Sequence, residues 1–430
     1  MIGQLAKETG FVKRERKLSA SDFVNTLMFS SCNQASTSLP DMAADLNQNF
    51  SVDISKEGIH KKFNVEAVCF LKELVKVQLS NQLSQQEDSD LKKHFTAINI
   101  KDSSKFSLPN DCEGAYPGFG NFSKTNGLMN LQYEYDLLSG NWMTIELTSI
   151  KRNDQQDSKQ TISQLSKGGL YIRDLGYVTP IYLKAVIEKG AYFLNRMTPQ
   201  ANVYNLKGET MDWAKIDSKF KKTGADRMDT DVLIYEKELL PCRLVIEQVT
   251  EEEYNKRIKH ARQSAKSQGV GLSTAHKIRC RYNIFITNVS RAILPIEKIR
   301  KTYYLRWQIE LVFKTWKSFF EIDKVKKVRK ERLECQLLAK LIWVLLNWQL
   351  FQTCNHFVRK QTPEIGISVL KFFKRCISFS QTLRSVVIAP KVISDWLEEM
   401  FLPLIENTAC EAPVGKVTHY QTLDSLSCLS

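Results

Sequence analysis

Residues 301–318 read KTYYLRWQIELVFKTWKS. From Tyr303, the residues Arg306, Glu310 and Lys317 follow at offsets of 3, 7 and 14. On an α-helix, at about 100° per residue, those offsets bring all four side chains within roughly 60° of one another. Leu305, Ile309, Val312, Phe313, Trp316 and Phe320 fall on the neighbouring face, which can be buried. The stretch therefore predicts one amphipathic helix with a ring, a guanidinium, a carboxylate and an ammonium along one edge. A carboxylate flanked by cations on a packed helix suits a metal ligand beside a polyanion.

Outward from this helix the chain alternates strands and helices. YNIFITNV (282–289) is an apolar strand just upstream. FTAINIKDSS starts as an alternating strand that is expected to end at Asp102. GLMNLQYEYDLLSGNWMTIELTSI reads as a hairpin turning at Ser139-Gly140-Asn141. GGLYIRDLGYVTP is a short strand ending near Asp174, PIYLKAVIEKG a helix that stops at Gly190, and AYFLNRM another strand. The pattern predicts an α/β fold, a mixed sheet with helices packed on it. Residues 198–281 interrupt it with the strand-like VLIYEKELLPCRLVIEQV and a charged helix, EEEYNKRIKHARQSAKSQG.

The expected organisation is five segments: a helical N-terminal region (1–92), the first part of an α/β core (93–197), a mainly β insertion (198–281), the second part of the core with the opening helix (282–335), and a helical C-terminal region (336–430). In the first, Pro40–Leu46 and Ser55–Phe63 are two short helices with a break around Asn49 and Ser51, compatible with a helix-turn-helix or a small bundle. The tail after Ala412 is polar and expected to be mobile.

The net charge is +14, from 61 basic and 47 acidic residues. Such a surplus favours phosphate backbones or acidic surfaces as partners. Basic stretches at 256–266 and 324–332 are the places such a partner's backbone would be held. Ten cysteines from Cys32 to Cys428 include no C-x2-C pair, which points away from a zinc site or a disulfide framework and fits a reducing cytosol. The start, MIGQLAKETG, has no signal-peptide core. The apolar run Leu337–Phe351 is interrupted by polar residues and reads as a buried helix too short to span a bilayer, so no membrane partner is expected.

Phosphoryl transfer on a nucleic acid calls for two divalent ions held about 3.5–4 Å apart by carboxylates on rigid elements. Asp102 and Asp174 at strand ends, with Glu310 on the helix, can form such a cluster if the strands are neighbours. Taken singly, each has another reading: Asp102 and Asp174 as turn residues, Glu310 as an ion-pair partner of Arg306 or Lys314. Rival acids are Glu134, Asp136 and Glu146 on the hairpin, expected to face solvent, and Asp226, Asp229 and Asp231 in an expected loop.

The spacing Y-x2-R-x3-E-x6-K at Tyr303, Arg306, Glu310 and Lys317 resembles the signature of the insertion-sequence DDE transposases of the Y-R-E-K group, the insertion-sequence-four type. IKDSSKFSLP resembles that family's first-aspartate segment. RDLGY resembles its second, followed by a strand ending in an arginine, here Arg196 of FLNRM. ITN before the final helix also matches, and the likeness spans roughly residues 35–350. The resemblance implies a ribonuclease-H-like core and Mg2+ (or Mn2+) bound by Asp102, Asp174 and Glu310 as catalytic residues. It implies cleavage at the ends of a mobile element and joining of 3′ hydroxyls to target DNA. Tyr303, Arg306 and Lys317 then match positions that hold DNA. One departure is the strand RYNIFITN, which lacks the tryptophan some relatives place there; Tyr282 is the aromatic that could stack on a base instead. Two ends imply a homodimer assembled on DNA, in a bacterial cytoplasm at the nucleoid. A stand-alone metal-dependent nuclease and a non-catalytic DNA-binding derivative are the alternatives.

Overall fold

The computed structural model describes residues 1–14, 16–30, 38–82, 91–118, 127–197, 201–267, 269–325, 327–362, 365–388, 393–411, 418 and 421. Five helices open the chain: α1 (Ile2–Glu8), α2 (Ala20–Ser30), α3 (Leu39–Phe50), α4 (Lys56–Lys62) and α5 (Val65–Ser80). Ser38 and Asp41 form a reciprocal capping box at α3, and Ser51 ends it with a left-handed φ of 53°. Ser55 caps α4 by accepting the Gly58 amide.

The short α6 (Leu91–His94) leads into β1 (Ile98–Ser107), and the expected hairpin forms from β2 (Leu128–Asp136) and β3 (Trp142–Ser149). Next come α7 (Asp154–Gln160), β4 (Leu170–Arg173), α8 (Pro180–Glu188) and β5 (Tyr192–Arg196). Thr179 caps α8 by accepting the Tyr182 amide, Pro180 fills its first turn, and Gly190 supplies the positive φ of 65° that turns the chain into β5. Residues 198–281 hold β6 (Val203–Tyr204), α9 (Trp213–Thr223), β7 (Arg227–Ile234), β8 (Leu240–Gln248), α10 (Glu251–Ser267) and α11 (Thr274–Arg279). They thus hold more helix than strand, which corrects the expectation of a mainly β insertion. β9 (Tyr282–Thr287), α12 (Ile296–Tyr304), α13 (Gln308–Phe319), α14 (Lys330–Gln361), α15 (Val369–Ser378), α16 (Ser380–Ile388) and α17 (Ile393–Ile405) complete the chain.

The chain divides into two compact units, each built from separated segments. Of the described residues, one holds 1–82, 103–152 and 307–421; the other holds 91–102 and 153–306. In both, sheet and helices pack together, a mixed β-sheet core flanked by helices.

In the second unit the strand order is β1-β4-β5-β9-β8-β7-β6. β1 pairs parallel with β4, which pairs parallel with β5; β5, β9, β8, β7 and β6 then pair antiparallel in succession. The strands of the 198–281 segment are therefore continuous with those of the core through β8 and β9. The register Lys101↔Arg173 ends the β1–β4 pairing one residue short of Asp102 and Asp174. Asp102 itself lies within a strand that runs on to Ser107, not at a strand end.

In the first unit α2 and α5 pack along α14, and α15 packs on α13. α14, at 32 residues, is longer than the apolar run suggests and is long and apolar enough to cross a membrane, yet 83% of its most apolar stretch is buried inside the protein. Around α13 the core is aromatic. Trp316, fully buried, sits 4.9 Å from Trp142 and 5.1 Å from Tyr133 between ring centroids. Lys340 of α14 donates to the carbonyls of Glu321 and Lys324, tying down the connection that follows α13.

The buried polar set corrects one reading. Glu134 and Asp136 are 4% and 5% exposed, so they face the interior; Asp136 accepts from the Leu138 and Ser139 amides and organises the hairpin turn. Glu146 does face outward, paired with Arg152. Asp229 and Asp231 lie on β7, not in a loop, where Arg291 pairs with both and Arg243 with Asp229.

Two stability measurements follow from this packing. Trp316→Ala removes the centre of the aromatic cluster and is expected to cost about 3–5 kcal/mol in denaturant unfolding, whereas Leu311→Ala, 51% exposed on the same helix, should stay within about 0.5 kcal/mol. Burial lowers the Lys340 ammonium from its ordinary 10.5 to about 8, against the pull of the Glu321 and Asp323 charges. Between pH 8 and 10.5 the unfolded chain therefore holds a proton that the folded chain has lost, and stability rises with pH across that window. Lys340→Met should flatten that rise in denaturation midpoints.

Candidate active site

The helix expected across residues 301–318 is not continuous. α12 ends at Tyr304, residues Leu305–Trp307 form a 3₁₀ turn, and α13 begins at Gln308. The angular argument for a single edge therefore fails: Tyr303 stands on α12, Arg306 in the turn, and Glu310 and Lys317 on α13. The turn buries Leu305 and Arg306 at 2% and 7% exposure. A 3₁₀ turn inside a helical run is a frequent mark of a functional constraint, and here it coincides with an ion-pair cluster.

Arg306 Nη1 lies 3.1 Å from Asp102 Oδ2, and its Nη2 lies 3.8 Å from Asp174 Oδ1. One guanidinium thus serves both aspartates, which come from neighbouring parallel strands 72 positions apart in the sequence. Asp102 is the better shielded, with 21% of its side chain exposed against 47% for Asp174. The backbone of Asp174 is extended, at φ −68° and ψ 160°, and begins a 3₁₀ turn, Leu175–Tyr177.

Tyr303 is buried under this group and packs its ring on Phe285, 5.3 Å between centroids. Burial pushes its phenol above the ordinary value; the nearby Arg306 opposes the rise, the Asp174 carboxylate adds to it, and Arg196 opposes it. Tyr303 and Arg196 therefore belong to the same electrostatic neighbourhood as the aspartates. Arg196 itself is exposed at the end of β5.

Glu310 is exposed in the first turn of α13 and Lys317 half-buried in its last, both in the other unit. A carboxylate at the first turn and an ammonium at the last each suit the helix dipole. Among the described residues, no three His, Cys, Asp or Glu side chains form a group that could hold a metal ion. Arg306 brings Asp102 and Asp174 together within the second unit.

Tyr282 is placed otherwise than expected. Only 3% exposed, it donates its hydroxyl to Asp217 Oδ1 at 2.7 Å and packs on Phe220. Its ring is part of the core of the second unit and does not stand open to a base.

The basic stretches also divide. α10 exposes Lys256, Lys259, Arg262 and Lys266, while Arg257 turns back to Asn283 and the Tyr282 carbonyl. In 324–332, Arg329 donates to the carbonyls of His60 and Phe63, and Arg332 lies over the Phe63 ring, so both serve the first unit's packing. Lys326 lies outside the described residues, as does most of the polar tail. Sequence reading passed over Trp307, which is 53% exposed three positions before Glu310.

Residues 93–346 match the family described as the transposase DDE domain. The chain belongs to the DDE transposase family. It is 33% identical over 384 residues to the transposase for insertion sequence element IS231F of Bacillus thuringiensis subsp. israelensis, covering 85% of this chain and 80% of that one. To the transposase for insertion sequence element IS1151 of Clostridium perfringens it is 30% identical over 397 residues, covering 88% and 83%. Among solved structures, a piggyBac transposase in a synaptic complex with hairpin DNA aligns with a TM-score of 0.47 and 9% identity, over 97% of this chain and 83% of that one. The protein is thus an insertion-sequence transposase, a DDE-type enzyme acting on DNA, and the resemblance read from its motifs holds at the level of the family.

The placement of Tyr282 separates packing from DNA contact in the transposase. Tyr282→Phe deletes one buried hydrogen bond and should cost about 1 kcal/mol of stability, while strand cleavage stays within twofold of the parent. Tyr282→Leu separates the two roles: packing predicts a loss of stability with activity following it, whereas a stacking role predicts lost activity without loss of stability.

Proposed function

We propose that the transposase cuts the phosphodiester backbone at both ends of its element and transfers the freed 3′ hydroxyls to target DNA. In this reading the core is ribonuclease-H-like, and Asp102, Asp174 and Glu310 are its catalytic carboxylates. The observation that carries it is the sharing of one guanidinium by Asp102 and Asp174.

Two carboxylates on adjacent strands that already share a cation are chemically suited to Mg2+ or Mn2+, hard ions that prefer oxygen ligands. Asp102 and Asp174 would hold the ions, with Glu310 as the third carboxylate. Bound there, the metal supplies Lewis-acid stabilisation of phosphoryl oxygens and an activated water or 3′ hydroxyl. Arg306 competes for the same two carboxylates, so its fork is available to a phosphate once a metal neutralises them. Tyr303, buried and in contact with Arg306, orients the guanidinium rather than stacking on DNA. Lys317 adds a point charge toward the backbone, and Arg196 contributes from the edge of the sheet.

In the same reading α3 and α4 recognise the element's ends as a helix-turn-helix, and the exposed lysines of α10 hold backbone with a strong salt dependence. Two ends require at least two protomers, so a homodimer assembled on DNA is proposed, working in the cytoplasm.

The test is strand cleavage on DNA carrying the element's ends. Asp102→Ala, Asp174→Ala and Glu310→Ala are each expected to lower Mg2+-dependent cleavage at least about a hundredfold with binding to the ends retained. Normal cleavage by any one of them removes that residue from the site. Arg306→Lys, which keeps the charge and loses the fork, should fall roughly tenfold to a hundredfold.

A further inference from the structure

Directly behind the aspartate pair lies a second layer of charge. Lys101 and Arg173 are the last register partners of β1 and β4, each one residue before Asp102 and Asp174. Because side chains alternate along a strand, both point to the sheet face opposite the two aspartates. Both are 1% exposed. Lys101 Nζ lies 2.5 Å from Asp157 Oδ2 of α7, and Asp157 is 0% exposed. The Arg173 guanidinium is surrounded by tyrosine rings, 4.4 Å from the centroid of Tyr182, 5.7 Å from Tyr171 and 5.9 Å from Tyr177.

A buried ion pair is a poor device for stability. Desolvation of the two charges offsets their attraction, and apolar replacements of similar volume are often neutral or better. What such a pair does supply is a fixed geometry, since neither partner can move without leaving a buried charge uncompensated. Here it joins β1 to α7 at the residue next to Asp102. α7 is further fixed by Ser158, whose hydroxyl donates to the Tyr177 carbonyl just past Asp174. The same helix therefore holds the chain beside both aspartates.

We infer that Asp157 is a positioning residue, which through its buried ion pair with Lys101 fixes β1 so that Asp102 lies beside Asp174. The inference rests on the reading of Asp102 and Asp174 as metal ligands. The cost of losing such outer support is typically tenfold to a hundredfold in metal affinity.

The experiment titrates Mn2+ into the full-length protein and follows free Mn2+ by electron paramagnetic resonance, with thermal unfolding measured in parallel. The double variant Lys101→Met with Asp157→Leu removes the pair without orphaning a charge. It is expected to keep its Tm within about 2 °C of the parent, a shift on the order of 1–2 kcal/mol for a chain this large, while Mn2+ binding weakens about tenfold or more. Unchanged Mn2+ affinity, whatever happens to Tm, overturns the inference and leaves the pair a structural feature. Should the double variant not fold, Lys101→Gln with Asp157→Asn carries the same test, because it keeps the approximate shape and removes both charges: weakening by tenfold supports the inference, and affinity within twofold of the parent overturns it. Asp102→Asn is the separate control on the underlying reading. If the parent's Mn2+ binding does not depend on Asp102, that reading fails and this inference fails with it; if it does depend on Asp102 and the Asp157 variants still bind normally, only the inference fails.

Discussion

Two carboxylates on neighbouring strands repel unless a cation stands between them, and the second unit is arranged around that constraint. Arg306 meets Asp102 and Asp174 together, and its position depends on the 3₁₀ turn that interrupts the run from α12 to α13. The aspartates meet because β1 and β4 are parallel neighbours in a register that stops one residue before them. Beneath them, Lys101, Arg173 and Asp157 are sealed from water. Charge on one face of the strands is thus balanced by charge on the other, and a shift of register by one residue would exchange the two layers.

In the first unit the same economy of contacts serves α13. Trp316 is held among Tyr133, Trp142 and Phe313, and the exposed face carries Trp307, Glu310 and Leu311. A helix anchored this firmly on one side presents its other side with little freedom. Membership of the DDE transposase family, carried by the match over residues 93–346, makes this chain a protein that acts on DNA.

Much of this was legible from the sequence, for identifiable reasons. Period-two runs and turn residues placed the hairpin, β4, α8 and β5, because Ser139, Gly140 and Asn141, and Pro180 and Gly190, are local signals that tertiary structure did not override. The break between α12 and α13 was not legible: nothing in LRW disfavours a helix, and the turn is set by long-range pairing of Arg306 with residues more than 130 positions away. Tyr282 was misjudged because an aromatic in an apolar strand reads alike whether it faces a site or, as here, Asp217 and Phe220. Glu134 and Asp136 alternate with apolar residues as a half-exposed strand does, yet both faces of β2 are covered. The family signature was readable throughout, since it depends on spacing alone; the Lys101–Asp157 layer was not, because it joins residues 56 positions apart that no local pattern links.

The most direct measurement is iron-mediated backbone cleavage of the full-length protein bound to its element's end. Fe2+ replaces Mg2+, and peroxide generates hydroxyl radicals at the bound ion. The account predicts cuts of the polypeptide close to Asp102, Asp174 and Glu310, all suppressed by excess Mg2+. Cuts confined to other segments, or absence of Mg2+-protected cuts near Asp102 and Asp174, would contradict it.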